Sequence, residues 1–284
     1  MQEVAQLGGS PLISIIIVNY NSGRLLEQCL DSISSNISVP HEVIIYDNNS
    51  SDDSLTRALS NVDFKNISAI KSSENIGFAK ANNLAAKRAR GSILHFLNPD
   101  IIVNNILDGD YRKIGMAGEG KIYVTSLIDL QGERQTITHL LPTLDNYFYR
   151  LFAPDRAGRW SLGASIIMPI ETFRLIGGWP EDNFMYAEDL DLFYQAHRRH
   201  LTVKHFDTKL VHVGQGCTEK CWNELQRALI IEDAFYRFYK KHNISFQYYI
   251  VRILQMLYML ITNPRLFAIT ARVFISSIRN RFGS

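Results

Sequence analysis

The chain has 284 residues, 46% apolar and 20% charged, with a net charge of +2. That length supports one large core, or one core with an appendage, and the composition excludes a disordered or fibrous chain. The near-neutral balance excludes a global polyanion-binding surface, so no nucleic-acid partner is expected.

The segment "MQEVAQLGGSPL" has no basic region followed by an apolar stretch, so it reads as a short tail and not as a secretory signal. "LISIIIVNY" (12–20) is a β-branched apolar run, the pattern of a buried parallel strand. "SGRLLEQCLDSISS" follows with Leu25, Leu26, Cys29, Leu30 and Ile33 at helical spacing. "EVIIYD" (42–47) predicts a second strand, and "NNSSDDSLTRALS" opens with capping residues and becomes a helix. "ISAIKS" (67–72) predicts a third strand, "GFAKANNLAAKRAR" (77–90) a third helix ended by Gly91, and "SILHFL" (92–97) a fourth strand.

Strand and helix alternate three times before the fourth strand. That pattern predicts an α/β fold with a parallel sheet covered on both faces. In such sheets ligands bind beyond the carboxyl ends of the strands. Those ends read Asn19-Tyr20-Asn21, Asp47-Asn48-Asn49, Glu74-Asn75 and Asn98-Pro99-Asp100. One polar strand end is a turn; four on one edge predict a site.

Residues 104–158 are irregular and rich in Gly, Asp and Tyr, with one strand predicted over 121–129. "ASIIM" reads as a strand, and Pro169 and Gly177-Gly178 bracket a short helix. "EDLDLFYQAHRRH" predicts a helix that opens on acidic residues, followed by a strand over 201–206 and a short strand leading to His212. The cysteines are Cys29, Cys217 and Cys221, too few for a disulfide framework, which implies a reducing compartment. Cys217 and Cys221 lie near His212 but lack the spacing of a paired-cysteine zinc knuckle. The stretch 222–282 reads as all-helical, apolar and basic, with Arg252, Arg265, Arg272, Arg279 and Arg281. Its longest uncharged run, 253–264, is shorter than the roughly 20 residues of a spanning helix. Such helices lie in a membrane interface, or bury against the domain or a second subunit.

The stretches "SIIIVNYNSGRLLEQCLDSI", "EVIIYDNNSSDDS", "NIGFAKANN", "LHFLNPDI" and "GGWPEDNFMYAEDLDL" occur in that order between 14 and about 214. In this the chain resembles the family 2 glycosyltransferases, and among them the bacterial rhamnosyltransferase-like members. The resemblance implies the GT-A type fold, a Rossmann-like mainly parallel sheet flanked by helices, over 1–221, with an amphipathic helical C-terminal region over 222–284. It also implies a nucleotide-sugar donor, a divalent metal and inversion at the anomeric carbon.

Each implied role sits beside a plainer one. Asp100 is implied to hold the metal, Mn²⁺ or Mg²⁺, which neutralises the leaving diphosphate. The family often shows Asp-x-Asp where this chain has Asn98-Pro99-Asp100, so one carboxylate is supplied, and the same triplet is a good turn. His212 is implied to complete the metal site or touch the diphosphate, or is a structural histidine, as His197, His200 and His205 are read. Asp47 is implied to accept a hydrogen bond from N3–H of the pyrimidine, or makes an Asx turn. Asn19, Asn75, Gly77, Asn82 and Asn98 complete the expected donor side; Gly77 allows a close backbone approach at a helix N-terminus that favours anions, and the plain reading is a capped helix start. Glu188 and Asp189 are the catalytic pair, with Asp189 as base for the acceptor hydroxyl; otherwise they are first-turn acids. The helix N-terminus favours a charged Asp189, whereas burial by Phe184, Met185, Tyr186 and Trp179 opposes it. Trp160 and Trp179, with Gly163-Ala164, are placed on the acceptor side.

The resulting expectation is an inverting transferase moving a sugar, L-rhamnose from dTDP-rhamnose first, onto a glycan or lipid-linked glycan of bacterial surface polysaccharide such as O-antigen. It would be cytoplasmic and peripheral on the inner face of the plasma membrane through its C-terminal helices, and homo-oligomers are compatible. UDP-sugar donors stay open. A nucleotidyltransferase would need a richer basic Gly loop than "NYNSGRLLE"; a noncatalytic sugar or nucleotide scaffold would tolerate loss of Asp100 or Asp189, and both are present.

Overall fold

The computed structural model describes residues 12–61, 66–105, 107–214 and 223–282. The N-terminal tail over 1–11, Cys217, Cys221 and the boundary drawn between 221 and 222 lie outside the described residues.

An eight-stranded sheet has the order β3-β2-β1-β4-β9-β6-β10-β5. Its strands are β1 (Ile13–Asn19), β2 (His41–Asp47), β3 (Ile67–Lys71), β4 (Ile93–Leu97), β5 (Ile101–Ile102), β6 (Lys121–Ile128), β9 (Ser165–Pro169) and β10 (Thr202–His212). β7 (Thr138–Leu140) and β8 (Arg159–Ser161) form a separate hairpin-like pair. β1, β2, β3 and β4 run parallel, as do β6 and β10, while β9 runs antiparallel to both of its neighbours. All seven residues of β1 are buried, because helices cover both faces. Alternation sorts them: Ile13, Ile15 and Ile17 join one core cluster with Leu26, Leu30 and Tyr111, while Ile16 and Val18 join the other with Ala81, Ala85, Leu192 and Phe193.

The covering helices are α1 (Leu25–Asn36), α2 (Ser54–Asn61), α3 (Phe78–Ala86), α4 (Asp108–Ala117), α5 (Leu144–Phe152), α6 (Ile170–Ile176) and α7 (Glu188–Arg198). α3 stops four residues before the predicted end at Arg90, and Gly91 does not cap it. A Cβ on Gly91 would lie 2.6 Å from the Ser14 backbone nitrogen, and the Gly91 N–H donates to Ser14 Oγ at 2.8 Å. Gly91 therefore permits close contact with β1. The two strands predicted over 201–206 and before His212 are one strand, β10, with a register shift between Phe206 and Lys209.

The C-terminal region is helical, as α8 (Glu224–Lys241), α9 (Ser245–Thr262) and α10 (Pro264–Phe282). Leu190 and Tyr194 of α7 share a third core cluster with Ala234, Phe238, Tyr248 and Phe274. Asp191 of α7 accepts hydrogen bonds from Lys241 Nζ at 2.8 Å and His242 Nε2 at 2.7 Å. These contacts seat α8 directly against the helix that begins with Glu188 and Asp189.

Candidate active site

A cleft of about 740 Å³ opens where the carboxyl ends of β1, β2 and β4 meet β10 and the start of α7. Tyr20, Asn48, Asn75, Asn98, Asp100, Glu188, Asp189 and His212 all line it. This size and placement suit a nucleotide-sized ligand at the strand ends.

Asp100 and His212 come from distant parts of the chain. Ile101 N–H donates to Asn98 O at 3.2 Å, so Asn98-Pro99-Asp100 is indeed a turn. The turn delivers two-residue β5 against β10, with Ile101 opposite His212, and Val213 N–H donates to Asp100 O at 3.0 Å. His212 Nε2 then stands 3.4 Å from Asp100 Oδ2. On the other side of the ring, His212 Nδ1 lies 2.8 Å from Gln135 Oε1, while Gln135 Nε2 donates to His212 O at 3.1 Å. The amide orientation makes Nδ1 the protonated nitrogen. In the neutral ring the Nε2 lone pair therefore faces a carboxylate oxygen.

Two acceptors turned toward each other are held together by a proton or by a metal cation between them. Cis ligands at roughly 2.1 Å from an octahedral ion sit about 3.0 Å apart, close to the observed separation. The pair thus fits a divalent cation. No group of three or more His, Cys, Asp or Glu side chains suited to a metal occurs among the described residues. Asp100 and His212 would be its protein ligands.

The acidic pair sits on a strained turn. Tyr186 and Ala187 have φ of 67° and 61°, unusual for non-glycine residues, and Glu188 begins α7 immediately afterwards. Asp189 Oδ2 accepts from Gly163 N–H at 3.1 Å and Oδ1 from Leu190 N–H at 2.8 Å. Burial nevertheless outweighs those bonds and pushes the Asp189 carboxyl up to about 6. Burial, reinforced by the Asp189 charge, pushes Glu188 up to about 8. Asp189 is half-buried and more open to the cleft than Glu188, consistent with its smaller rise. Burial thus raises both carboxyls, and the repulsion between them makes Glu188 the one that holds a proton more readily. Glu188 Oε2 and Asn98 Oδ1 are buried without a hydrogen-bond partner among the described residues, which suits groups awaiting a ligand.

The structure places the other expected residues less directly. Asn19 is fully buried: its amide donates to Asp47, Ser50 and Ser54 and accepts from Ser22 Oγ, so it braces the β1–β2 end instead of facing the cleft. Asp47 is also buried, with Oδ1 accepting from Asn19 and Oδ2 from Ser50 N–H; its neighbour Asn48 is the one on the cleft wall. Asn82 is buried within α3 and donates to Phe78 O at 3.1 Å. Gly77 does allow a close backbone approach, but by the protein itself: φ is +87° and a Cβ would lie 2.5 Å from Phe184 O. Phe78 N–H donates to that carbonyl at 3.2 Å, so the first donor of α3 is not free for an anion. Trp179 is core, edge-on to Phe78 and Phe96 at 5.4 Å, and forms a floor beneath Gly163. Trp160 lies tilted against His139 at 5.0 Å between ring centres and is not part of the cleft wall, which Leu162, Gly163 and Ala164 form. Gln135, and Arg227 on α8, were not anticipated. Arg227 brings a cation to the cleft from the C-terminal region. A residue type alone carries no signal of either placement.

Residues 14–106 match the model of glycosyl transferase family 2. That match covers the first strands of the sheet, and the whole chain has the GT-A fold. It is 28% identical over 207 residues to the low-salt glycan biosynthesis hexosyltransferase Agl10 of Haloferax volcanii, a match covering 67% of this chain and 63% of that protein. The chain therefore spans less than two thirds of that relative's length. Among solved structures it resembles the mannosyltransferase PcManGT from Pyrobaculum calidifontis in complex with GDP-Man and Mn²⁺, with TM-score 0.60, 16% identity, and coverage of 98% of this chain and 89% of that one. It also resembles S. aureus TarS 1-349 in complex with UDP-GlcNAc, with TM-score 0.55, 16% identity, and coverage of 96% and 92%.

Proposed function

We propose that this chain transfers a hexose from a nucleoside-diphosphate sugar to a hydroxyl of a glycan, with inversion at the anomeric carbon. The observation that carries the reading is the meeting, in one cleft, of a cation-ready Asp100–His212 pair and an elevated Asp189. A divalent cation, when bound, supplies positive charge for the departing diphosphate. Asp100 and the Nε2 of His212 hold its place. Asp189 accepts the proton of the acceptor hydroxyl as that oxygen bonds to the sugar C1 and the C1–O bond to the diphosphate breaks. In this reading the cleft-lining Tyr20, Asn48 and Asn75 serve the nucleotide, and Leu162, Gly163 and Ala164 serve the acceptor.

The rhamnosyltransferase-like motifs make dTDP-rhamnose the first donor to assay, with UDP- and GDP-sugars beside it because relatives with those donors share the fold. A lipid-linked surface-polysaccharide acceptor on the inner membrane face agrees with the C-terminal helices. From residue 234 to the end there are eight Lys or Arg and no Asp or Glu. Leu254, Leu257, Tyr258 and Ile261 of α9 are exposed, as are Arg265, Arg272 and Arg279. α5 is tied to α9 through Leu144 N–H and Gln247 Oε1 at 2.9 Å and adds exposed Phe148, Leu151 and Phe152. No helix among the described residues is long and apolar enough to cross a membrane, so these faces suit interfacial contact.

Calorimetry with dTDP, UDP and GDP, each with and without Mn²⁺, tests the reading. Metal-dependent binding of one of them is the expected result, and its identity selects the donor. Absence of binding by all three, in the presence of metal and a glycan acceptor, would overturn the transferase reading.

A further inference from the structure

Gln135 does two things to one histidine. Its Nε2 donates to the His212 carbonyl at 3.1 Å, and its Oε1 faces the same residue's Nδ1 at 2.8 Å. The first bond fixes which end of the amide faces the ring. The ring nitrogen there must then be the donor, which in the neutral ring leaves Nε2 with its lone pair toward Asp100.

The fold holds Gln135 in place for this. The turn before it is closed by Asp129: its Oδ1 accepts from the N–H groups of Gln131 and Glu133, both at 2.9 Å. Gln135 N–H then donates to Leu127 O at 2.9 Å, pinning the residue to the end of β6. β6 runs parallel to β10 with Leu127 beside Leu210 and Ile128 beside Val211, so the returning chain meets His212 at the strand end. Nothing in the local fold needs a glutamine here, since the Asp129 carboxylate and the backbone bonds close the turn without the Gln135 side chain.

We propose that Gln135 is a positioning residue that sets the His212 tautomer and ring orientation, and so makes Nε2 available to a divalent cation shared with Asp100. This rests on the metal role given to that pair above. Histidine ligands are generally held by such a partner on the other ring nitrogen, and its loss weakens metal affinity by about 10–100-fold.

The test uses the full chain and three proteins: wild type, Gln135→Met and Gln135→Glu. Methionine keeps length and removes both hydrogen bonds. Glutamate keeps an acceptor for Nδ1–H. Free Mn²⁺ is followed by electron paramagnetic resonance in the presence of UDP, GDP or dTDP, and the His212 tautomer by long-range ¹⁵N–¹H NMR. The expected result is at least about tenfold weaker Mn²⁺ binding in Gln135→Met, recovery in Gln135→Glu, and loss of the pure Nδ1–H signature only in the methionine variant. Equal Mn²⁺ binding by wild type and Gln135→Met would overturn the proposal. So would equal weakening in both variants with the tautomer unchanged, which is a packing effect. If wild type binds no Mn²⁺ with any nucleotide, the metal reading fails and the proposal with it. A wild-type Nδ1–H signature lost in Gln135→Met would then separate that failure from a wrong tautomer assignment.

Discussion

Replacing Glu188 by glutamine keeps the shape of the side chain and removes its ability to ionise. In the folded protein burial and Asp189 push this carboxyl up to about 8, whereas the ordinary value is 4.5. Between those two pH values the folded chain holds a proton that the unfolded chain has lost. Unfolding then releases a proton, so stability falls as pH rises through this window. At pH 7 the chain is about 2.5 pH units above the unfolded value, and each unit is worth about 1.4 kcal/mol. The wild type is thus destabilised by up to about 3 kcal/mol relative to a neutral side chain at that pH. Glu188→Gln is expected to match wild type near pH 4.5 and to gain on it steadily up to pH 8. In thermal unfolding the gain at pH 7 corresponds to roughly 5–10 °C. Urea and thermal unfolding of both proteins at pH 5, 6, 7 and 8 measure it. The difference in slope is the test, because a lost hydrogen bond shifts both ends equally. Parallel pH dependences would refute the reasoning and mean that water reaches Glu188 in solution.

Asp189→Asn is expected to lower kcat by about 10²–10⁴ with nucleotide binding retained, as measured by donor turnover and calorimetry; substantial turnover would remove Asp189 from the base role. In the wild type kcat/KM should fall about tenfold per pH unit below about 6, where Asp189 takes up a proton, so a pH–rate profile flat down to pH 5 contradicts the assignment. Gly77→Ala should destabilise the fold by about 2–4 kcal/mol in urea unfolding, from the positive φ and the clash with the Phe184 carbonyl; a neutral result would mean the 184–186 loop moves away freely. Serine at Leu254, Leu257 and Ile261 together should weaken partition into anionic vesicles by about 100-fold while leaving melting unchanged, and an unchanged partition would assign that face to protein contact.

The first hundred residues were legible because their information is local. β1, β2 and β4 are continuous apolar runs, and each intervening helix carries its own spacing and cap residues. Gly91 misled because a glycine after a helical pattern and a glycine forced by a neighbouring strand look alike in one dimension. β10 read as two strands because Asp207 and Thr208 break the apolar pattern at the register shift, where the strand passes over its partner without ending. In 104–158 α4 carries only a weak apolar stripe, and the stripe of α5, Phe148, Leu151 and Phe152, faces outward and so does not mark a core contact. The strand-end rule located the cleft but not which side chain at each end faces it. Asn19 and Asp47 hydrogen-bond each other across the β1–β2 register, and that pairing turns both inward while Tyr20 and Asn48 take the wall.

At the start of α7 two effects oppose each other, and only the fold decides between them. The helix end and two backbone N–H groups favour a charged Asp189, and the sequence contains both the helix and its acidic opening. Burial opposes them, and its strength depends on residues far away in the chain: Gly163 of the cleft wall, Trp179 beneath it and Phe78 of α3. The consecutive positive φ angles at Tyr186 and Ala187 then point the pair into that enclosure in place of solvent. A first-turn acid on a surface helix would be ionised well below neutral pH and a poor base. The same residue enclosed this way is raised to about 6, near enough to neutral pH to accept a proton and return it. The chemistry of Asp189 is thus a property of the packing around it, and a substitution at Gly163 or Trp179 that lets water in should lower its pKa without touching the carboxylate itself.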